Sequence, residues 1–143
     1  MLYELINEGF GDKEDFNCAE KILYGANQAY NLGFSHETLK LSAGFGGGMA
    51  IGSVCGALTA AVMVLSSLYV KNNAHESTKI KALSLELFST YRKEMGEINC
   101  GPLKARYRTE ELKCRNVIAT AAKVLDRIIE RENGQSAPCK AVI

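Results

Sequence analysis

The stretch that most limits what this chain can fold into runs from Leu41 to Val70, LSAGFGGGMAIGSVCGALTAAVMVLSSLYV. It is thirty residues without a charged side chain, lying between Lys40 and Lys71. Its first part is dense in glycine (Gly44, Gly46, Gly47, Gly48 and Gly52), and its second, Ala57 to Val70, is apolar almost all round. A helix with no polar face has to be covered on every side, by protein or by lipid. The uncharged run over about 54–70 is at the short limit for a bilayer span, which takes about 20 residues. Thr59, Ser66 and Ser67 weaken the lipid reading, and no run of Lys or Arg flanks the segment to set an orientation. The pattern predicts a central helix buried in protein, with the glycine turn delivering Cys55 to its first turn.

The neighbouring segments can supply the cover. Met1 to Glu8 reads as a short amphipathic helix ended by Gly9 and Gly11. Asp15 or Asn17 can cap a second helix whose stripe runs through Cys18, Ile22, Leu23, Ala26, Ala29 and Tyr30. Ser35 opens a shorter helix carrying Leu39, Leu41 and Ala43. After Lys71-Asn72-Asn73, Ser77 or Thr78 can cap a helix with the face Ile80, Leu83, Leu87, Phe88, Tyr91 and Met95, stopped by Gly96. Asn99-Cys100-Gly101-Pro102 is a turn signal, and Leu103 to Arg108 reads as a basic connector. Thr109-Glu110-Glu111 starts the last helix, whose face is Val117, Ile118, Ala121, Val124, Leu125, Ile128 and Ile129; Asn133-Gly134 stops it. No strand-period run survives. The expected class is all-α, a single-domain bundle of about five to six helices around the central one, with residues 1–134 as the domain and 135–143 as a loose tail.

Composition bounds the partners. A chain of 143 residues is long enough to bury one core. Its net charge of +1 leaves no electrostatic footprint for nucleic acid or an acidic membrane. The N-terminus lacks the pattern of a secretory signal, so a cytoplasmic location is expected.

The segment GFGGGMAIGS invites a phosphate-loop reading, because backbone N–H groups at a helix start can hold an anion. No Lys follows the glycines as a Walker loop requires, and the preceding segment looks helical, against the dinucleotide fingerprint. No nucleotide is expected. A tight loop that lets two backbones approach is the simpler reading; contact with a cofactor, anion or small ligand at Gly46, Gly47, Gly48 and Ser53 is the secondary one.

Five cysteines, at 18, 55, 100, 114 and 139, are the unusual feature. The bland reading is that each is an inert core residue. Cys18, Cys55 and Cys114, however, all fall near predicted helix starts, where a thiolate is stabilised, and Cys100 precedes a Gly-Pro turn. Cys139 lies after Pro138 in the tail and serves no helix. There is no Cys-x-x-Cys, and zinc-ribbon and ferredoxin spacings are absent, although four dispersed cysteines could still converge in space. His36 and His75 read as solvated, and Arg106, Arg108, Lys113 and Arg115 form a basic face that is either solvated or set beside Cys114.

Asn17-Cys18-Ala19-Glu20, Ala43-Gly44-Phe45-Gly46-Gly47-Gly48-Met49, Val54-Cys55-Gly56-Ala57, Asn99-Cys100 and Cys114 together resemble a bacterial and archaeal family. It comprises small proteins named for the pattern C…GCAxxG…C…C, and its redox activity is inferred from its cysteines and its gene neighbours. The resemblance covers Cys18 to the last helix and puts the four family cysteines on Cys18, Cys55, Cys100 and Cys114. Ala60 stands where the family has its last glycine, and no Cys-x-x-Cys-His is present for haem.

Three functions follow as expectations. In the first, Cys55 is an activated thiolate and Cys18, Cys100 or Cys114 resolves the mixed disulfide, with a small molecule or protein as redox partner. In the second, the same four thiolates ligate a metal or iron–sulfur cluster. In the third, the thiols are inert and the domain is structural. Oligomeric state is open, a homodimer among the options.

Overall fold

The structure, a computed structural model, describes residues 1–140, with side chains described through 134. Seven α-helices follow in order: α1 Leu2–Asn7, α2 Cys18–Ala29, α3 His36–Leu39, α4 Gly56–Tyr69, α5 Lys79–Met95, α6 Cys100–Tyr107 and α7 Arg115–Lys140. No strand occurs among the described residues, where β-type pairing is confined to two isolated bridges, Val54 with Asn99 and Thr109 with Lys113. The all-α class and the single domain agree with the helical periodicity.

The central helix is α4. Ala57, Leu58, Ala60, Ala61, Val64 and Leu65 are fully buried, against α2, α5 and α7. Each large aliphatic side chain so covered contributes roughly 1.5–3 kcal/mol. Ala60 fits with its methyl inside this core. Burial is not complete along the helix: Ser67 and Leu68 are exposed. No described helix is long and apolar enough to cross a membrane.

Around it the amphipathic faces fall where the spacing puts them. Every apolar position expected on α7 from Val117 to Ile129 is buried, as are Leu83, Leu87, Tyr91 and Met95 of α5. The α1 helix is pinned to α7 by the buried Asp126 carboxylate, which accepts from the Leu2 N–H (3.1 Å), the Tyr3 N–H (2.8 Å) and the Tyr30 hydroxyl. Leu41 departs from expectation: after Leu39 the chain tightens into a 3-10 turn, Lys40–Phe45, and Leu41 is turned out to solvent.

The two boundaries flanking residue 108 also differ. Leu103 to Tyr107 is helical, within α6, with Arg108 as its extended cap; Pro102 falls in its first turn, where a missing N–H leaves no bond unmade. Residues 109–114 form a turn and no helix. Thr109 and Lys113 exchange two backbone bonds (3.2 and 2.8 Å), and Lys113 has a left-handed φ of 53° that a right-handed helix cannot carry, so α7 starts at Arg115. At its far end α7 runs through Asn133-Gly134 to Lys140, because one glycine inside a helix costs only about 1 kcal/mol. The side chains of the expected tail, Cys139 among them, lie outside the described residues.

Candidate functional site

Four helices begin at one place. Cys18 is the first residue of α2 and Cys100 the first of α6; Cys55 and Cys114 immediately precede α4 and α7. All four line one cavity of about 610 Å³. Three corrections follow. Cys55 is the cap residue of α4 and not part of its first turn, Cys114 stands before α7 and not in its second turn, and Cys100 opens a helix where a turn was expected.

Local sequence explains the convergence. At α2 the capping box is complete: the Glu20 N–H donates to Asn17 Oδ1 (3.0 Å), and the Asn17 N–H donates to Glu20 Oε1 (2.9 Å). Asn17 Nδ2 then donates to the Ala43 carbonyl (2.9 Å), which ties the start of α2 to the glycine segment. The Cys55 N–H donates to the Ile98 carbonyl (2.9 Å) and the Cys100 N–H to the Ser53 carbonyl (2.7 Å), so those two cysteines flank the Val54–Asn99 bridge.

Glycine at position 56 is what lets α2 and α4 touch. A β-carbon there would lie 2.7 Å from Cys18 Sγ and 2.6 Å from the Phe45 carbonyl oxygen. The turn ahead of it is left-handed at Gly47 (φ 67°) and Gly48 (φ 63°), and continues so at Met49 and Ala50, where a side chain makes that conformation cost about 1–2 kcal/mol each. The strain is held by the Ser53 N–H bonded to the Gly48 carbonyl (3.1 Å).

This backbone aims donors at one sulfur. The Cys55 thiol and the backbone N–H groups of Gly47, Ala19 and Gly56 surround the Cys18 sulfur and favour its thiolate. Chiefly through the Cys55 hydrogen bond, and against the opposing effect of burial, its pKa falls from 9.0 to about 6. Cys55 moves the other way: its thiol is held as donor to Cys18, it is buried, and a thiolate beside it repels a second negative charge. Only the Ala57 N–H offsets this. Negative charge in the pair is favoured on Cys18 and disfavoured on Cys55, whereas the sequence expectation put the thiolate on Cys55. Cys100 is raised, mainly by burial. Arg108 Nη1 donates to Cys114 Sγ (3.4 Å).

Of the glycine-segment residues considered for ligand contact, Gly47 lines the cavity, while Ser53 offers its backbone to Cys100 and Gly48. Gly46 sits against Asn17, which a β-carbon would strike at 2.3 Å. Arg108, Lys113 and Arg115 line the cavity, whereas Arg106 turns away to the Met95 carbonyl (3.3 Å). His36 and His75 are exposed. Sequence reading missed Asp12, Lys21 and Lys104. Asp12 bridges Lys21 (2.6 Å) and Arg115 (2.7 Å) at the rim. Lys21 follows Cys18, and Lys104 follows Cys100, at the three- and four-residue spacings that share a helix face, a signal readable only once those helices are known.

All four thiols are free. Although they share a cavity, no three His, Cys, Asp or Glu side chains among the described residues are grouped so as to hold a metal ion. The four-ligand arrangement considered from sequence does not fit this geometry.

A family model described as "Putative redox-active protein (C_GCAxxG_C_C)" matches residues 16–128, a span that takes in all four cavity cysteines. No curated protein and no solved structure matches the chain.

Proposed function

The chain belongs to the C_GCAxxG_C_C family, and from that membership we propose that it is a dithiol oxidoreductase in which Cys18 attacks a disulfide and Cys55 resolves the product. The observation that carries this reading is the placing of Cys18 and Cys55 at two helix starts on one cavity, with Gly56 leaving room for Cys18 Sγ against the second helix, in surroundings that lower the Cys18 thiol. A thiolate is the nucleophile in disulfide exchange, and the fastest one has a pKa near the ambient pH.

The chemistry closes on itself. The Cys18 thiolate attacks one sulfur of a substrate disulfide, forming a Cys18 mixed disulfide and releasing the other half as a thiolate. The leaving thiolate takes up the Cys55 proton. The Cys55 sulfur then attacks Cys18, the Cys18–Cys55 disulfide forms, and the second half leaves as a thiolate. The substrate gains two electrons and the cysteine pair loses them; an external thiol reductant reverses both steps. Cys55 is suited to the second role because it lines the same cavity beside the sulfur it must attack. Cys100 and Cys114 line the same cavity and stand within the path of exchange. A reducing cytoplasm is the compartment in which such a pair would start as dithiol.

The test is native-state alkylation with iodoacetamide at neutral pH, followed by peptide mapping at short times. Cys18 is expected to be modified first, and Cys18→Ser to remove the fast phase. Fast modification of Cys55, or equal rates at all cysteines, would overturn the assignment.

A further inference from the structure

The cavity is charged as well as thiol-lined. Five cationic side chains border it, Lys21, Lys104, Arg108, Lys113 and Arg115, against the three acids Asp12, Asp15 and Glu111. Two of the cations are already spoken for, since Lys21 and Arg115 share the Asp12 carboxylate. Lys104, Arg108 and Lys113 form no ion pair among the described residues. Arg108 spends one N–H on Cys114 and keeps the rest of its fork.

The turn that carries Lys113, with Arg108 just ahead of it, is closed by its own bonds. Thr109 and Lys113 close it with paired backbone bonds, the Leu112 N–H adds a bond to Thr109 Oγ1 (3.0 Å), and Lys113 keeps a left-handed backbone that a non-glycine residue adopts only when its surroundings impose it. Lys104, Arg108 and Lys113 are exposed and leave the cavity with more cations than acids, so an anionic ligand would meet favourable charge there. The volume, about 610 Å³, is that of a small-molecule site and not of a flat protein contact.

We propose that the substrate is a small disulfide bearing carboxylates, held by Lys104, Arg108 and Lys113 with its sulfur presented to Cys18. The reaction rests on the dithiol reading above; the binding does not. A carboxylate on each half anchors the incoming molecule, and the carboxylate-bearing thiols leave by the same cationic wall. Arg108 supplies a planar fork for one carboxylate, and the two lysines supply point charges.

The experiment compares dithiodipropionate, a dianion, with hydroxyethyl disulfide, a neutral molecule of the same skeleton. The quantity read is the ratio of their second-order rate constants with the full chain. In the triple variant Lys104→Gln/Arg108→Gln/Lys113→Gln the ratio is expected to fall about tenfold, the sum of three modest, solvent-screened charge contacts. In the wild type, raising the salt is expected to lower the same ratio, a check that does not depend on any variant folding. A ratio unchanged by both salt and substitution would overturn the proposal. Thiodipropionate, the redox-inert thioether, separates this failure from failure of the dithiol reading. If it binds wild type and Cys18→Ser alike and loses the triple variant, the anion site stands even where no disulfide reacts. If it binds none of them while hydroxyethyl disulfide oxidises the protein, the dithiol chemistry stands and the anion site falls.

Discussion

Cys55→Ala removes the largest single influence on the Cys18 thiolate while leaving the other three donors in place. Lowering a thiol from 9.0 to about 6 corresponds to about 4 kcal/mol in favour of the anion, at about 1.4 kcal/mol per pH unit. A hydrogen bond to a charged acceptor is worth roughly 1.5–3 kcal/mol. Loss of the Cys55 S–H is therefore expected to raise the Cys18 midpoint by about one to two pH units. It stays below 9.0, because the N–H groups of Gly47, Ala19 and Gly56 remain. The assay is the pH profile of iodoacetamide modification at Cys18, followed peptide by peptide, in wild type and variant. A variant midpoint still near 6 would show that Cys55 is not the donor. A midpoint back at 9.0 would show that the backbone donors contribute nothing.

Other consequences follow from the same geometry. Between about 6 and 9, the unfolded chain holds a proton on residue 18 that the native chain has lost, so stability is expected to rise with pH by about 1.4 kcal/mol per unit. Above that window Cys55 keeps its proton only in the fold and the slope reverses; urea titrations across pH read this, and a Cys18→Ser variant still rising between 6 and 9 would contradict it. Gly47→Ala meets no atom within 4 Å and bears only the left-handed φ, a loss of about 1–2 kcal/mol, whereas the Gly48→Ala methyl would also lie 2.4 Å from the Ser53 carbonyl oxygen. Gly48→Ala is expected to lower the thermal midpoint clearly more than Gly47→Ala, and equal losses would refute the close approach. Asp126→Ala strands one buried and one half-buried N–H group and the Tyr30 hydroxyl, and is expected to lose about 3 kcal/mol in urea unfolding.

Much of this was legible before any coordinates. Asn17 was one of two cap candidates, settled by its bonds with Glu20, and the Val117 to Ile129 spacing places a buried face without ambiguity. The convergence of four cysteines was readable only as a family pattern, since positions 18, 55, 100 and 114 share no local spacing. Where reading failed, the cause was local ambiguity. Gly101-Pro102 looks like a turn, yet proline fits the first turn of a helix equally well, and nothing in Thr109-Glu110-Glu111 announces the left-handed Lys113 that delays α7. Which of Cys18 and Cys55 the surroundings favour as thiolate was not readable, because both sit at helix starts and the difference depends on where the Gly47 turn lies in space.

The measurement that tests the central claim most directly is trapping of the mixed disulfide. The Cys55→Ser protein is treated with hydroxyethyl disulfide, digested and mapped by mass spectrometry beside the wild type. The account requires a stable hydroxyethylthio adduct on Cys18 in the variant, and a Cys18–Cys55 disulfide without adduct in the wild type. An adduct that accumulates on Cys100 or Cys114, or a wild-type disulfide that leaves Cys18 out, would contradict it.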